Sequence, residues 1–370
     1  MKEPYHHTGR ASNKLNSYLD CPKNGLLKDF LLHYDIELDN IKDWTHKNKF
    51  KRIGIEVPLL MQNFVFDLAL FLKNQLQIEV IVSGEPCFGA CDIKHTGLLA
   101  SGAEGIIHFG NLEIPNLDYM RLNILFIPLL VKVDISEVLL QAKQRLLNDN
   151  IKTIGLVSSI QYVHNISKSK KFFSNNNIQA FAGKGNSRIK SQGQVLGCNV
   201  SSAISIKDTV QCFVFLENGN FHAKPVCLAT KKDVYCFDPF NLQEKKLDYL
   251  ELIEKEKEKE TNKLKILSKG RRAGVILSDK IGQNRKQAAE QVINILRNNN
   301  ISSLLINANY LHESIFRSID VDYYVSTACP RLALDESTIG GKQIINIEEV
   351  RSYFHKKNNK IIIDCFDQIN

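Results

Sequence analysis

The sequence predicts an α/β protein built from three related domains, each a parallel sheet flanked by helices. Three observations carry that reading. Strand–helix–strand patterns recur three times along the 370 residues. The strand segments are continuously apolar rather than alternating, as in sheets covered on both faces. Each repeat also opens in the same way, with basic or polar residues followed by a short apolar run containing glycine.

The three openings are "KRIGIEVP" (51–58), "KTIGLVSS" (152–159) and "RAGVILSD" (272–279). A helix-like stretch follows each: "MQNFVFDLALFLKNQ" (61–75), "QYVHNISKSKKFFSNN" (161–176) and "NRKQAAEQVINILRNN" (284–299). In the last of these, Ala288, Val292, Ile295 and Leu296 stand three and four apart and mark one apolar helical face. Second strands come next, at "IEVIVSG" (78–84), "IQAFAGKG" (178–185) and "SSLLINA" (302–308). Further strands fit "GIIHFG" (105–110), "NILFIPLLVKV" (123–133), "CFVFLENG" (212–219) and "YYVSTAC" (323–329). The run "ELIEKEKEKETNKLK" (251–265) reads as a charged, solvated helix leading into the third repeat. The expected domains are 1–125, 126–245 and 246–370, containing Cys91, Cys198 and Cys329 respectively.

Composition narrows the function classes. Hydrophobic residues make up 44% of the chain, enough for packed cores. No apolar run approaches the ~18 residues of a membrane span. The opening "MKEPYHHTGRASNK" lacks the apolar core of a signal peptide, so a cytoplasmic setting with reduced thiols is expected. The formal net charge of +8 is modest for this length, and no basic run is interleaved with aromatics, so no nucleic-acid module is indicated. "GKG" at 183–185 is not a phosphate loop, because neither GxxxxGK[ST] nor GxGxxG is present.

Nine cysteines in a reducing setting point to metal binding, catalysis or burial. Each repeat has one beyond its second or third strand, each directly after a small residue: Ala90–Cys91, Gly197–Cys198 and Ala328–Cys329. Ligands gather at the carboxyl ends of parallel strands, so these three thiols are expected to converge, with the small neighbours admitting a bulky inorganic group. Cys87 has no counterpart in the other repeats and is read as a bystander. Cys21, Cys212, Cys227, Cys236 and Cys365 lack the pattern, and several lie in strand-like runs that belong in a core. A CxxxCxxC radical motif is incomplete, because Lys94 stands where its third cysteine would be. A zinc knuckle on Cys87, Cys91 and His95 lacks a second pair. Three thiolates without a fourth would leave one iron of a [4Fe–4S] cluster open to a substrate.

The segments "SGEPCFGACDI", "GQVLGCNVSSA", "NGNFHAKPVCLAT" and "STACPRLALD", in this order, resemble the iron–sulfur enzyme family of diphthamide biosynthesis, the 2-(3-amino-3-carboxypropyl)histidine synthases. The likeness runs from about residue 50 to about residue 335, and the compact chain is more similar to the archaeal, homodimeric type. The resemblance implies a [4Fe–4S] cluster at the central junction of three domains, held by Cys91, Cys198 and Cys329. It implies S-adenosylmethionine as cosubstrate and translation elongation factor 2 as protein substrate. Reductive C–S cleavage would place a 3-amino-3-carboxypropyl group on imidazole C2 of a histidine and release methylthioadenosine, with electrons from an unidentified donor. Gln194 and His222 lie in family-like segments, and Arg331 is placed to meet the cosubstrate carboxylate as a bidentate fork. His108 is a further pocket candidate, although Asn111 stands where the family often has histidine. Two other readings remain: a dehydratase or reductase holding a small substrate at the open iron, or a non-catalytic electron-transfer or scaffold subunit.

Overall fold

A computed structural model describes residues 25–354 apart from 116, 118–121 and 218. The described residues fall into two compact units. Of the described residues, the first comprises those up to Gly89, Lys94–Asn111 and 122–132; the second comprises Ala90–Ile93, 112–115, 117 and Val133 onward.

In the first unit a two-stranded antiparallel ribbon joins β1 (Tyr34–Asp35) to β6 (Leu130–Val131). The main sheet holds β2 (Arg52–Glu56), β3 (Glu79–Val82), β4 (Gly105–Phe109) and β5 (Ile124–Ile127) in the order β3-β2-β4-β5, every pair parallel. The helix Val65–Leu76 buries Leu68, Phe71, Leu72 and Leu76 in its core. The spacing of three and four is the reason the segment is a helix.

The second unit contains two sheets. One orders β11 (Glu244–Leu247), β10 (Val234–Phe237), β9 (Cys212–Phe215), β7 (Thr153–Val157) and β8 (Gln179–Phe181). The other orders β13 (Ser302–Asn307), β12 (Arg272–Leu277), β14 (Tyr323–Ser326), β16 (Lys342–Asn346) and β15 (Thr338–Ile339). Only the edge strands β11 and β15 pair antiparallel in these two sheets. All three main sheets therefore share one permutation, in which the first strand lies between the second and the third; the next strand follows the third in two of them, whereas in the last sheet β16 takes that place and β15 lies outside it. The register repeats as well, since Gly54, Gly155 and Gly274 pair with Ile81, Phe181 and Leu304 of their second strands.

Side chains of β9 alternate between two cores: Cys212 and Val214 join one, Phe213 and Phe215 the other. In the third sheet Tyr323 and Val325 face one core and Tyr324 the opposite one. The expected core thiols Cys212, Cys227 and Cys236 are buried, whereas Cys21 and Cys365 lie outside the described residues.

Two local expectations are refined. The helix Lys286–Asn298 buries Ala289, Val292 and Leu296, with Ala288 and Ile295 at the margins of its face. The charged helix Tyr249–Lys269 is not wholly solvated: Glu256 and Lys263 are buried. Glu256 meets Lys224 at 2.9 Å, and Lys263 meets Glu349 at 2.9 Å and the Ala333 carbonyl at 3.0 Å. A local charge pattern cannot reveal such distant partners. No helix among the described residues is long and apolar enough to cross a membrane.

Candidate functional site

Cys91, Cys198 and Cys329 all belong to the second unit, Cys91 through the short segment Ala90–Ile93. Each thiol is half-buried and none is in a disulfide. Cys91 follows β3, Cys198 follows β8 and Cys329 follows β14, all beyond the carboxyl ends of strands. Burial pushes the Cys329 thiol far above its ordinary range, and the nearby Cys91 and Cys198 sulfurs push it further. The backbone N–H of Arg331 and its guanidinium act in the opposite direction. Cys198 is likewise raised by burial, against the opposing charges of Arg188 and Arg331. Cys329 thus feels both of the other sulfurs. The three are not spaced for a single ion: within 4.8 Å of mutual separation, only Glu56, Cys87 and His108 form such a trio among the described residues.

A turn after β12 grips Cys91. Gly282 donates its backbone N–H to the Cys91 carbonyl at 3.0 Å. A methyl group on Gly282 would come within 2.5 Å of the Cys91 Cβ and 2.6 Å of its Cα, so no larger residue fits without displacing the cysteine. Gln283, itself buried, donates from Nε2 to the Cys91 sulfur at 3.3 Å. Next to it, Lys280 pairs with buried Asp92 at 3.1 Å and lies 4.7 Å above the Tyr310 ring.

Arg331 is buried, and its guanidinium fork is engaged by Asp335 at 2.8 and 2.9 Å. Its Nη1 donates to the Gly197 carbonyl at 3.2 Å, which ties the Cys198 loop to the Cys329 loop. The guanidinium also lies 4.3 Å above the Phe221 ring. That ring explains the small residue before Cys198: a Cβ on Gly197 would meet Phe221 at 2.2 Å. At this position the missing side chain makes room for an aromatic ring.

His222 packs against Phe221 and Phe215. Burial, assisted by the Arg331 charge, lowers its pKa to about 4, so its ring is neutral near pH 7. Gln194 is buried, and its Oε1 accepts from the Ser191 backbone N–H at 3.0 Å, bracing the turn before Cys198.

His108 belongs to the first unit, where its Nδ1 stands 2.6 Å from Glu56 Oε1 and its Nε2 stands 3.1 Å from Asn111 Nδ2. Burial opposes its charging, but Cys87 and Glu56 outweigh that and raise its pKa to about 10.

The chain matches the family model described as "Putative diphthamide synthesis protein" over residues 58–361. It is 29% identical over 308 residues to the 2-(3-amino-3-carboxypropyl)histidine synthase of Pyrococcus horikoshii, an alignment covering 81% of this chain and 84% of that protein. To subunit 1 of the synthase from Schizosaccharomyces pombe it is 24% identical, over 84% of this chain and 72% of the relative. The crystal structure of Dph2 from Pyrococcus horikoshii with a 4Fe-4S cluster superposes with a TM-score of 0.77 at 26% identity, covering 88% of this chain and 92% of that one. With the threefold sheet plan and these matches together, the chain belongs to the diphthamide synthesis family.

Proposed function

We propose that this chain is a 2-(3-amino-3-carboxypropyl)histidine synthase that carries out the first step of diphthamide biosynthesis. It moves the 3-amino-3-carboxypropyl group of S-adenosylmethionine to imidazole C2 of a histidine in translation elongation factor 2 and releases methylthioadenosine. Cys91, Cys198 and Cys329 would hold a [4Fe–4S] cluster, one from each of three domains divided near 125 and 245. When bound, the cluster supplies the electron for sulfonium C–S cleavage and one iron not held by a cysteine. The observation supporting this assignment is that Cys91 and Cys198 both lie near enough to Cys329 to raise its pKa, in a chain whose solved relative carries such a cluster. The donor set fits: burial holds Cys198 and Cys329 as neutral thiols, and a polycationic iron–sulfur core would favour their ionised, ligating form.

The surrounding residues have definable tasks. Gln283 donates to the Cys91 sulfur and favours the more negative, reduced state. Arg331 holds the Gly197 carbonyl and so spaces two of the cysteine loops. With its fork on Asp335, Arg331 acts in this reading by positioning and by its positive field rather than by gripping a carboxylate. Neutral His222 can offer a hydrogen bond to the cosubstrate without repelling its sulfonium. Gln194 shapes the turn before Cys198. The active form would be a homodimer working in the cytoplasm, supplied by a separate electron donor.

The test is anaerobic reduction of cluster-loaded protein with S-adenosylmethionine and the elongation factor. Methylthioadenosine together with a modified histidine is expected. Dominant 5′-deoxyadenosine, or neither product, would overturn the assignment.

A further inference from the structure

We propose that Glu56, Cys87 and His108 form a second metal site, separate from the three cysteines above, that takes a single Zn(II) ion. The three residues come together within one sheet and the loop beside it. Glu56 ends β2 and His108 lies on the adjacent β4, directly opposite in register, so their side chains lie next to each other on one face. Cys87 is added by a parallel bridge to Pro58, two residues beyond Glu56. Glu56 and His108 are fully buried, and Cys87 is 4% exposed.

The donor atoms lie within 4.8 Å of one another, close enough to share one ion. The Cys87 sulfur is 3.8 Å from both ring nitrogens of His108. A sulfur equidistant from the two nitrogens cannot lie along either N–H direction, so a linear N–H···S bond does not explain its place. It lies off both lone-pair axes, so an ion held on Nδ1 is reached by a swing of the Cys87 side chain toward that nitrogen.

The atoms facing away from the trio are arranged as the outer partners of a metal site should be. Glu56 Oε2 accepts the Lys94 backbone N–H at 2.9 Å, which leaves Oε1 to face the centre. Asn111 meets the far nitrogen of His108 at 3.1 Å. The Cys87 thiol donates to the Gly89 carbonyl at 3.7 Å, a contact that metal binding gives up. When His108 Nδ1 binds a metal, that nitrogen gives up its proton while Nε2 keeps its own, and rotation of the Asn111 amide presents Oδ1 to receive it.

One carboxylate, one imidazole and one thiolate form the mixed O, N and S set that suits zinc. A divalent cation also neutralises the two anions in a place with almost no water. Binding releases the Cys87 thiol proton and the His108 Nδ1 proton to solvent, and a water takes the fourth tetrahedral position.

The test uses the full-length protein isolated anaerobically with its iron, exposed to zinc chloride and then dialysed against a weak chelator. Elemental analysis should find one zinc per chain in addition to the iron. Zinc K-edge absorption should show one sulfur among nitrogen and oxygen neighbours. Cys87→Ser and His108→Gln should each weaken zinc retention tenfold or more while iron content persists. Absence of retained zinc, a zinc shell rich in sulfur, or undiminished zinc in both variants would overturn the site. The absorption measurement on the unaltered protein decides the matter even if a variant folds poorly.

Discussion

The molecule has two sulfur-containing trios, and they are built in opposite ways. Cys91, Cys198 and Cys329 come from three distant loops, offer sulfur alone and are half-buried. Glu56, Cys87 and His108 come from adjacent strands and one loop, offer three different donor atoms and are almost wholly buried. The second set lies within the reach of one ion and the first does not. Donor type and spacing therefore predict what each can hold better than the presence of cysteine does. Cys87 and Cys91 are four residues apart in sequence, yet they belong to different trios.

The largest expected effect separates these cysteines. Cys329→Ala should abolish stable cluster loading, whereas Cys87→Ala should leave iron largely intact. Iron counting and the visible spectrum after anaerobic reconstitution check this, and equal loss in both variants would break the distinction. Gly282→Ala should come next. Its new methyl would press on Cys91 at 2.5 Å, so loading should fall severalfold, measured as iron per chain.

A subtler effect belongs to Gln283. Replacing it with Leu removes a hydrogen bond to the Cys91 sulfur. A bond of about 1 kcal/mol in differential strength corresponds to roughly 40 mV for a one-electron couple. The midpoint potential should therefore drop by about that amount in an anaerobic redox titration, and no shift would remove the residue from the site.

A separate effect is a pH signature near the cysteine trio. His222 has its pKa lowered from 6.5 to about 4 by burial and then by Arg331, so it is neutral in the fold. Its contribution to stability is complete above the unfolded value and is lost as pH falls from about 6.5 toward 4. That loss is on the order of 3 kcal/mol. His222→Gln should flatten the curve of thermal stability in this window, and an unchanged slope would place the titration elsewhere.

Much of the fold was legible because the strands are short apolar runs and the three repeats share an opening. Even the register of Gly54, Gly155 and Gly274 follows from that opening. Parts of the two trios were not legible. Gln283 reaches Cys91 across 192 residues, and Lys280 reaches Asp92 across 188; no local pattern encodes such pairs. Glu56 and His108 become neighbours only through the pairing of β2 with β4. The small residue at Gly197 was visible, but the Phe221 ring filling its space was not. The buried charges Glu256 and Lys263 were hidden in a run that looks solvated, since tertiary partners decide burial where local composition favours exposure.

The grip of the Lys280–Gln283 turn on Cys91 has a consequence for synthesis on the ribosome. The cysteine leaves the exit tunnel 192 residues before the glutamine that will bind it. At ordinary elongation rates that gap lasts roughly 10–40 s. During this interval the thiol lacks its native clamp and is open to premature oxidation. A nascent chain arrested before residue 270 should accordingly label at Cys91 with a thiol-alkylating probe much faster than the finished protein does.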